Sequence, residues 1–221
     1  MQKRTALLIG ASGLVGGHLL RLLVEDEACT RVIALVRRPL SFRHPKLHER
    51  VVDFGHLEKQ SESLMGQDVF CCLGSTIRSA GSQAAFRSVD FTYVVQAASL
   101  AAANGAEQFL LVSSGGANKN SRVFYLRVKG EVEEALAVLP FRELGIFRPS
   151  VLVGSREHRR LGETLSVSAM KLASVFMIGG LRKYRPIEAK TVAQAMLKAA
   201  RQHNAGTTIY ESDQIQKLGQ A

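Results

Sequence analysis

Tyr125 and Lys129 stand four residues apart in a segment whose apolar residues, Val128, Val132, Ala135, Leu136 and Leu139, recur at helical spacing. On a helix the phenol and the ammonium share one face, about a turn apart. An ammonium near a phenol favours the phenolate and pulls its pKa down from about 10 toward working pH. Tyr125 is thereby a candidate general acid for a carbonyl oxygen that receives hydride. Ser114, eleven residues upstream at the tip of an apolar strand, could bind the same oxygen. A Tyr-x-x-x-Lys pair also arises by chance. Its weight here comes from Ser113-Ser114 before it and from a glycine turn near the start of the chain.

That turn follows Thr5-Ala-Leu-Leu-Ile9, a run suited to a buried strand, and precedes a helical face of Val15, Leu19, Leu22 and Leu23. Strand, glycine turn and helix N-terminus in that order predict a dinucleotide pyrophosphate site formed by Gly10, Ser12, Gly13, Leu14, Val15 and Gly16. Gly10 permits the tight turn, Gly13 lets phosphate approach the backbone, and Gly16 allows close helix–strand packing. The unpaired N–H groups and positive dipole end of the helix favour the anion. Tight packing of small residues is the alternative reading of the same glycines.

A second strand, Arg31–Val36, ends in Arg37-Arg38-Pro39. An acidic residue at such a strand end would bind the ribose 2′-hydroxyl of NAD. Arg37 and Arg38 instead offer charge-assisted bonds to a 2′-phosphate, worth roughly 1.5–3 kcal/mol each. The cofactor expected is NADP(H). Surface arginines at a strand end are the alternative. Val51–Phe54 reads as a third strand, with Asp53 a candidate for the adenine amine and Phe54 packing near the ring; a turn-initiating Asp before Gly55 explains Asp53 as well. After a fourth strand, Val69–Leu73, the small residues of Leu73-Gly74-Ser75 would let a cofactor cross the strand ends.

The bulk composition bounds these readings. With 221 residues, 46% of them hydrophobic, the chain can bury one sizeable core in a single domain spanning 1–221. No apolar run approaches membrane-spanning length, and no signal-peptide pattern opens the chain. Cys29, Cys71 and Cys72 form an odd set without metal-ligand spacing, and they point to a reducing, cytoplasmic setting. His44 and His48 are four apart but lack a carboxylate pattern, so no metal is expected. The formal charge of +10 is dispersed without aromatic interleaving or a nucleic-acid motif. It reads as a solvated surface favouring phosphorylated cofactors, and no nucleic-acid partner is expected.

Further elements must position the candidates. Ile77–Ser82 is a polar loop that could cover the site; Asp90 reads as the cap of a helix running to Asn104-Gly105. Gln108–Val112 is the fifth strand and Arg142–Phe147 the sixth. Leu161–Phe176 reads as a helix with Met170, Phe176 and Met177 as candidate pocket lining, and core packing explains them equally. Tyr184–Ile187 suggests an edge strand, Thr191–Arg201 an amphipathic helix, Thr207–Tyr210 a last strand, and the tail after Ser212 a frayed end.

The set Gly10-x-x-Gly13-x-x-Gly16, Ser113-Ser114, Tyr125-Leu-Arg-Val-Lys129 and Phe147-Arg-Pro-Ser150 resembles the short-chain dehydrogenase/reductase superfamily. More narrowly, Phe70-Cys-Cys-Leu-Gly74, Ser113-Ser-Gly-Gly-Ala117 and Tyr125-Leu-Arg-Val-Lys-Gly-Glu-Val-Glu133 are similar to the HIV Tat-interacting protein group of atypical members. The resemblance implies an α/β fold: a doubly wound, Rossmann-type parallel sheet binding NADPH, with a small substrate-binding portion after about residue 150. It implies that Ser114, Tyr125 and Lys129 are catalytic, that Lys129 also holds the nicotinamide ribose, and that Arg37 meets the 2′-phosphate. It places Pro149 and Val151 beside the nicotinamide. Many relatives have Asn where Asp90 falls, which leaves a proton-relay role there unsupported. The expected activity is reduction of a small carbonyl-type substrate. A non-catalytic, NADPH-binding regulator that engages a protein partner is the alternative, since the group is known for partner binding; the oligomeric state is left open.

Overall fold

The computed structural model describes residues 3–154 and 185–220. The chain opens with strand β1 (Arg4–Ile9), helix α1 (Leu14–Glu25), strand β2 (Cys29–Val36) and strand β3 (Leu47–Val51). A 3-10 segment (Phe54–Ser63) leads to β4 (Asp68–Cys71). Two short helices, α2 (Ile77–Ala80) and α3 (Gln83–Arg87), continue through one π-helical turn (Ser88–Thr92) into α4 (Tyr93–Ala103). Then come β5 (Gln108–Val112), α5 (Phe124–Ala137), β6 (Glu143–Arg148) and β7 (Leu152–Val153). After the undescribed stretch follow β8 (Ile187–Glu188), α6 (Ala189–Gln202), β9 (Gly206–Glu211) and α7 (Ser212–Gln220).

Seven strands form one sheet in the order β3-β2-β1-β4-β5-β6-β9. Every neighbouring pair in it is parallel. Parallel neighbours need crossovers, and these put helices on both faces. Ala6 and Leu8 of β1 therefore face α1 and α6, whereas Leu7 and Ile9 face α4 and the 3-10 segment. Burial on both sides explains why β1 and β4 read as continuous apolar runs rather than alternating ones. The alanines of α4, Ala97, Ala98 and Ala101, are fully buried and let its backbone approach the sheet closely. This is a Rossmann-type α/β fold, with the strand order reversing between β1 and β4.

Several elements differ from the sequence reading. The third strand lies earlier than Val51–Phe54, because Leu47–Val51 pairs in register with Val32–Val36 while Asp53 turns the chain. The Ile77–Ser82 loop contains a helical turn capped by the Thr76 hydroxyl and closed by Gly81 in the left-handed region, φ +89°. Asp90 caps nothing. The helical run starts at Ser82, whose hydroxyl accepts from the Ala85 N–H, and Asp90 lies inside it with its side chain buried. The tail after Ser212 is helix α7, fixed by buried Ile215 and by Gly219 against Thr191. Ile187 belongs to a two-residue pairing of β7 with β8, outside the main sheet. The helix expected over 161–176, with Met170, Phe176 and Met177, lies outside the described residues.

Candidate functional site

In parallel α/β sheets ligands collect beyond the carboxyl ends of the strands, where the strand order reverses. The turn after β1 stands there. Gly10 adopts φ +87°, and a Cβ on it would lie 2.6 Å from the Cys72 carbonyl oxygen, so no other residue fits. The Gly13 N–H closes the turn onto the Gly10 carbonyl at 2.9 Å. A Cβ on Gly16 would meet that same oxygen at 2.1 Å, which seats α1 directly on the turn. Gly13 is the N-cap of α1 and supplies no side-chain oxygen to its first N–H groups. The turn is thus a cradle with free donors at a helix N-terminus, and it fits the pyrophosphate of a dinucleotide. Ser12 is exposed, Leu14 half-buried and Val15 buried. Gly154, after β7, packs against the Leu14 side chain.

Arg37 and Arg38 are exposed where β2 ends, and neither makes an ion pair among the described residues. Their charge is available to an anion. Asp53 accepts from the Gly55 N–H at 2.9 Å through Oδ1, the turn role that the sequence also allowed. Phe54 is buried in the core against Tyr93, with ring centroids 5.9 Å apart.

The structure brings α5 to the end of β4. Lys129, only 4% exposed, reaches the loop after β4, where its Nζ would stand 3.6 Å from a Cβ on Gly74. Its ammonium forms an ion pair with Asp90 Oδ1 at 2.7 Å. The other Asp90 oxygen accepts from both the N–H and the hydroxyl of Ser75, each at 2.8 Å. Burial by itself would lower the Lys129 pKa, but the charges of Asp90 and Tyr125 and the hydrogen bond to Asp90 outweigh it, and the net direction is up. Tyr125 is half-buried, its ring tilted against Phe86 at 5.3 Å. Ser114 is half-buried at the tip of β5 and makes only a weak contact to the Gly115 carbonyl at 3.4 Å. Pro149 is buried and accepts from the Gly115 N–H at 2.8 Å; Val151 is 45% exposed. Lys129, Gly74 and Ser75 are therefore united around Asp90, while Ser114 lies on the neighbouring strand tip.

Two charged groups escaped the sequence reading. Asp90 is one; the other is Glu133, one further turn along the row Tyr125–Lys129 on α5. Its carboxylate accepts from the buried Ser113 hydroxyl and from Arg148 Nη2 at 2.6 Å, and Arg148 continues to Glu211 at 3.1 Å. These bonds tie α5 to the ends of β5, β6 and β9. An acid inside an apolar helical stripe, at the same four-residue spacing, was the available signal. Cys71 lies below the site, its thiol pushed up to about 11 by burial; the neighbouring Cys72 is likewise raised by burial.

Comparison with known proteins is consistent with this geometry. Residues 10–138 match the family model described as NAD(P)H-binding. The chain is 41% identical over 170 residues to the protein HTATIP2 of Rattus norvegicus, covering 75% of this chain and 70% of that protein. It is 35% identical over 230 residues to the protein FMP52, mitochondrial, of Candida glabrata, covering 99% and 94%. Among solved structures, MoeE5 in complex with UDP-glucose and NAD superposes with a TM-score of 0.70 at 16% identity, covering 97% of this chain and 80% of that one. A UDP-N-acetylglucosamine 4-epimerase from Methanobrevibacter ruminantium gives a TM-score of 0.71 at 16% identity, covering 96% and 77%. These structures share the fold. The expectation of a cytoplasmic protein is overturned by the yeast relatives, which are named mitochondrial. Free thiols report a reducing environment and do not distinguish one such compartment from another.

Proposed function

Because the chain belongs to the NAD(P)H-binding family, as an atypical short-chain dehydrogenase/reductase similar to the Tat-interacting protein, we propose that it is an NADPH-dependent oxidoreductase acting on a small carbonyl-type substrate. The observation that carries this reading is the buried Lys129 at the end of β4, one helical turn from Tyr125 and beside the cradle formed by Gly10, Gly13 and Gly16. Bound NADPH would supply hydride. Ser12, Gly13, Leu14, Val15 and Gly16 would hold its pyrophosphate on the N-terminus of α1, and Arg37 with Arg38 its 2′-phosphate. Lys129 would orient the nicotinamide ribose; Leu73, Gly74, Ser75, Pro149 and Val151 would border the dinucleotide. Asp53 and Phe54 lie at the adenine side of this reading. Tyr125 would donate the proton to the substrate oxygen, and Ser114 would hold that oxygen through its hydroxyl.

Calorimetric titration with NADPH and NADH tests the cofactor part, with tighter NADPH binding expected. A screen of small carbonyl compounds then tests the chemistry. Tyr125→Phe is expected to lose turnover by about 100-fold or more while keeping NADPH affinity. Unchanged turnover in that variant would remove Tyr125 from the reaction. Cofactor binding without turnover of any carbonyl would favour a non-catalytic regulator that senses NADPH and engages a protein partner.

A further inference from the structure

Asp90 is fully buried, at 0% exposure, and the environment it creates differs from a lysine standing alone beside a tyrosine. Its Oδ2 is held by the Ser75 N–H and hydroxyl, which leaves Oδ1 aimed at the Lys129 ammonium, 2.7 Å away. The titratable groups around that ammonium come from three elements: Asp90 from the π-helical turn, Tyr125 from α5 and Cys71 from β4. Glu133, the next acid on α5, is bound to Arg148 and Ser113. Cys71, raised to about 11, is a neutral thiol at working pH. Lys129 and Asp90 therefore form a pair with no net charge.

The consequence is electrostatic. A free ammonium stabilises a nearby phenolate and acidifies the phenol. An ammonium locked against a carboxylate acts on its surroundings as a dipole, whose influence falls off faster with distance than that of a single charge. We propose that Asp90 is a positioning residue that neutralises Lys129 and keeps Tyr125 protonated, so that the site is set as a proton donor for reduction rather than as a base for oxidation. This rests on the reading of Tyr125 as the proton donor. The same carboxylate fixes the Ser75 backbone, so the β4 loop and the lysine are held by one group.

The test follows tyrosinate absorbance against pH, with Tyr125→Phe subtracted to isolate the Tyr125 transition. In Asp90→Asn the ammonium loses its partner, and the Tyr125 midpoint is expected to fall by about one pH unit or more. In the double variant Asp90→Asn/Lys129→Gln a neutral amide pair replaces a neutral ion pair, and the midpoint is expected to return close to that of the wild type. An unmoved midpoint in Asp90→Asn overturns the proposal. Should that variant not fold, the double variant decides. A midpoint well above the wild-type value there would mean that Lys129 had been acidifying Tyr125 as a free cation, which overturns the proposal too. NADPH titration of the wild type runs alongside. Failure to bind would sink the reductase reading and leave the tyrosine measurement intact, so the two failures are distinguishable.

Discussion

At the amino ends of β1 and β4, Arg4 grips Asp68 through a fork: Nε lies 2.7 and 2.9 Å from the two carboxylate oxygens, and Nη2 adds Glu107 at 2.9 Å. Gln108 joins the same carboxylate at 2.7 Å and reaches the Ala200 carbonyl of α6. At the carboxyl end of β4 stands another buried ion pair, Lys129 with Asp90, made through one ammonium and one oxygen. Both pairs lie at the ends of the same strand, and they differ in the cation. A guanidinium is planar, always charged and committed to its fork; an ammonium is a point charge with three rotatable donors. The arginine cluster can only staple β1, β4, β5 and α6 together. The lysine pair can hold its loop and still turn a donor toward a ribose. One pole of the sheet is built to stay fixed and the other to exchange partners.

The largest effect that would break this division is Arg4→Met. Removing one partner of a buried pair leaves Asp68 uncompensated, at an expected cost of about 3–5 kcal/mol in unfolding free energy. Denaturant titration measures the loss. The folded fraction should bind NADPH as the wild type does, since the variant sits at the far end of the sheet; weakened binding would mean that the two poles are coupled. Smaller is the effect of Arg37→Ala at the carboxyl end. Loss of charge-assisted bonds to a 2′-phosphate should weaken NADPH by about ten- to a hundredfold. NADH binding and thermal midpoint should not move, because the arginine is exposed and makes no ion pair among the described residues.

The smallest expected effect sharpens the amino-terminal side. Glu143 is buried beside this cluster, and burial raises its pKa above the usual 4.5, opposed by the Asn204 backbone and by His203. A raised folded-state pKa means that the native state holds this proton more tightly than the unfolded chain. The contribution is complete below about pH 4.5 and is lost as pH rises through the folded value. Glu143→Gln removes that loss. The variant should melt higher at neutral pH, by no more than about 2–4 °C, and should match the wild type near pH 4. A gain that persists at low pH would trace to packing instead.

Much of the site was legible because local chemistry specified it. Gly10 and Gly16 can be read from a strand–turn–helix pattern, since a left-handed turn and close helix seating exclude side chains. Tyr125 and Lys129 can be read from helical spacing alone. Asp53 was ambiguous because a strand-end Asp before a glycine satisfies a turn whatever else it does, and its Oδ1 is bound to Gly55. The third strand was placed late because an edge strand exposed on both sides, as at His48, Arg50 and Val51, shows no apolar pattern; its register comes from pairing with β2.

The sequence by itself determined the alternation of strands and helices, the dinucleotide turn and the pairing of phenol with ammonium on one helix face. Each depends on residues within a few positions of one another, where backbone geometry fixes who meets whom. Only the tertiary structure decided the partners of Lys129 and Glu133. Asp90 is 39 residues before Lys129, and Arg148 and Glu211 lie on strands that reach α5 only once the sheet has formed. Burial then turned those charges into pairs, because an isolated charge cannot stay inside a protein without one.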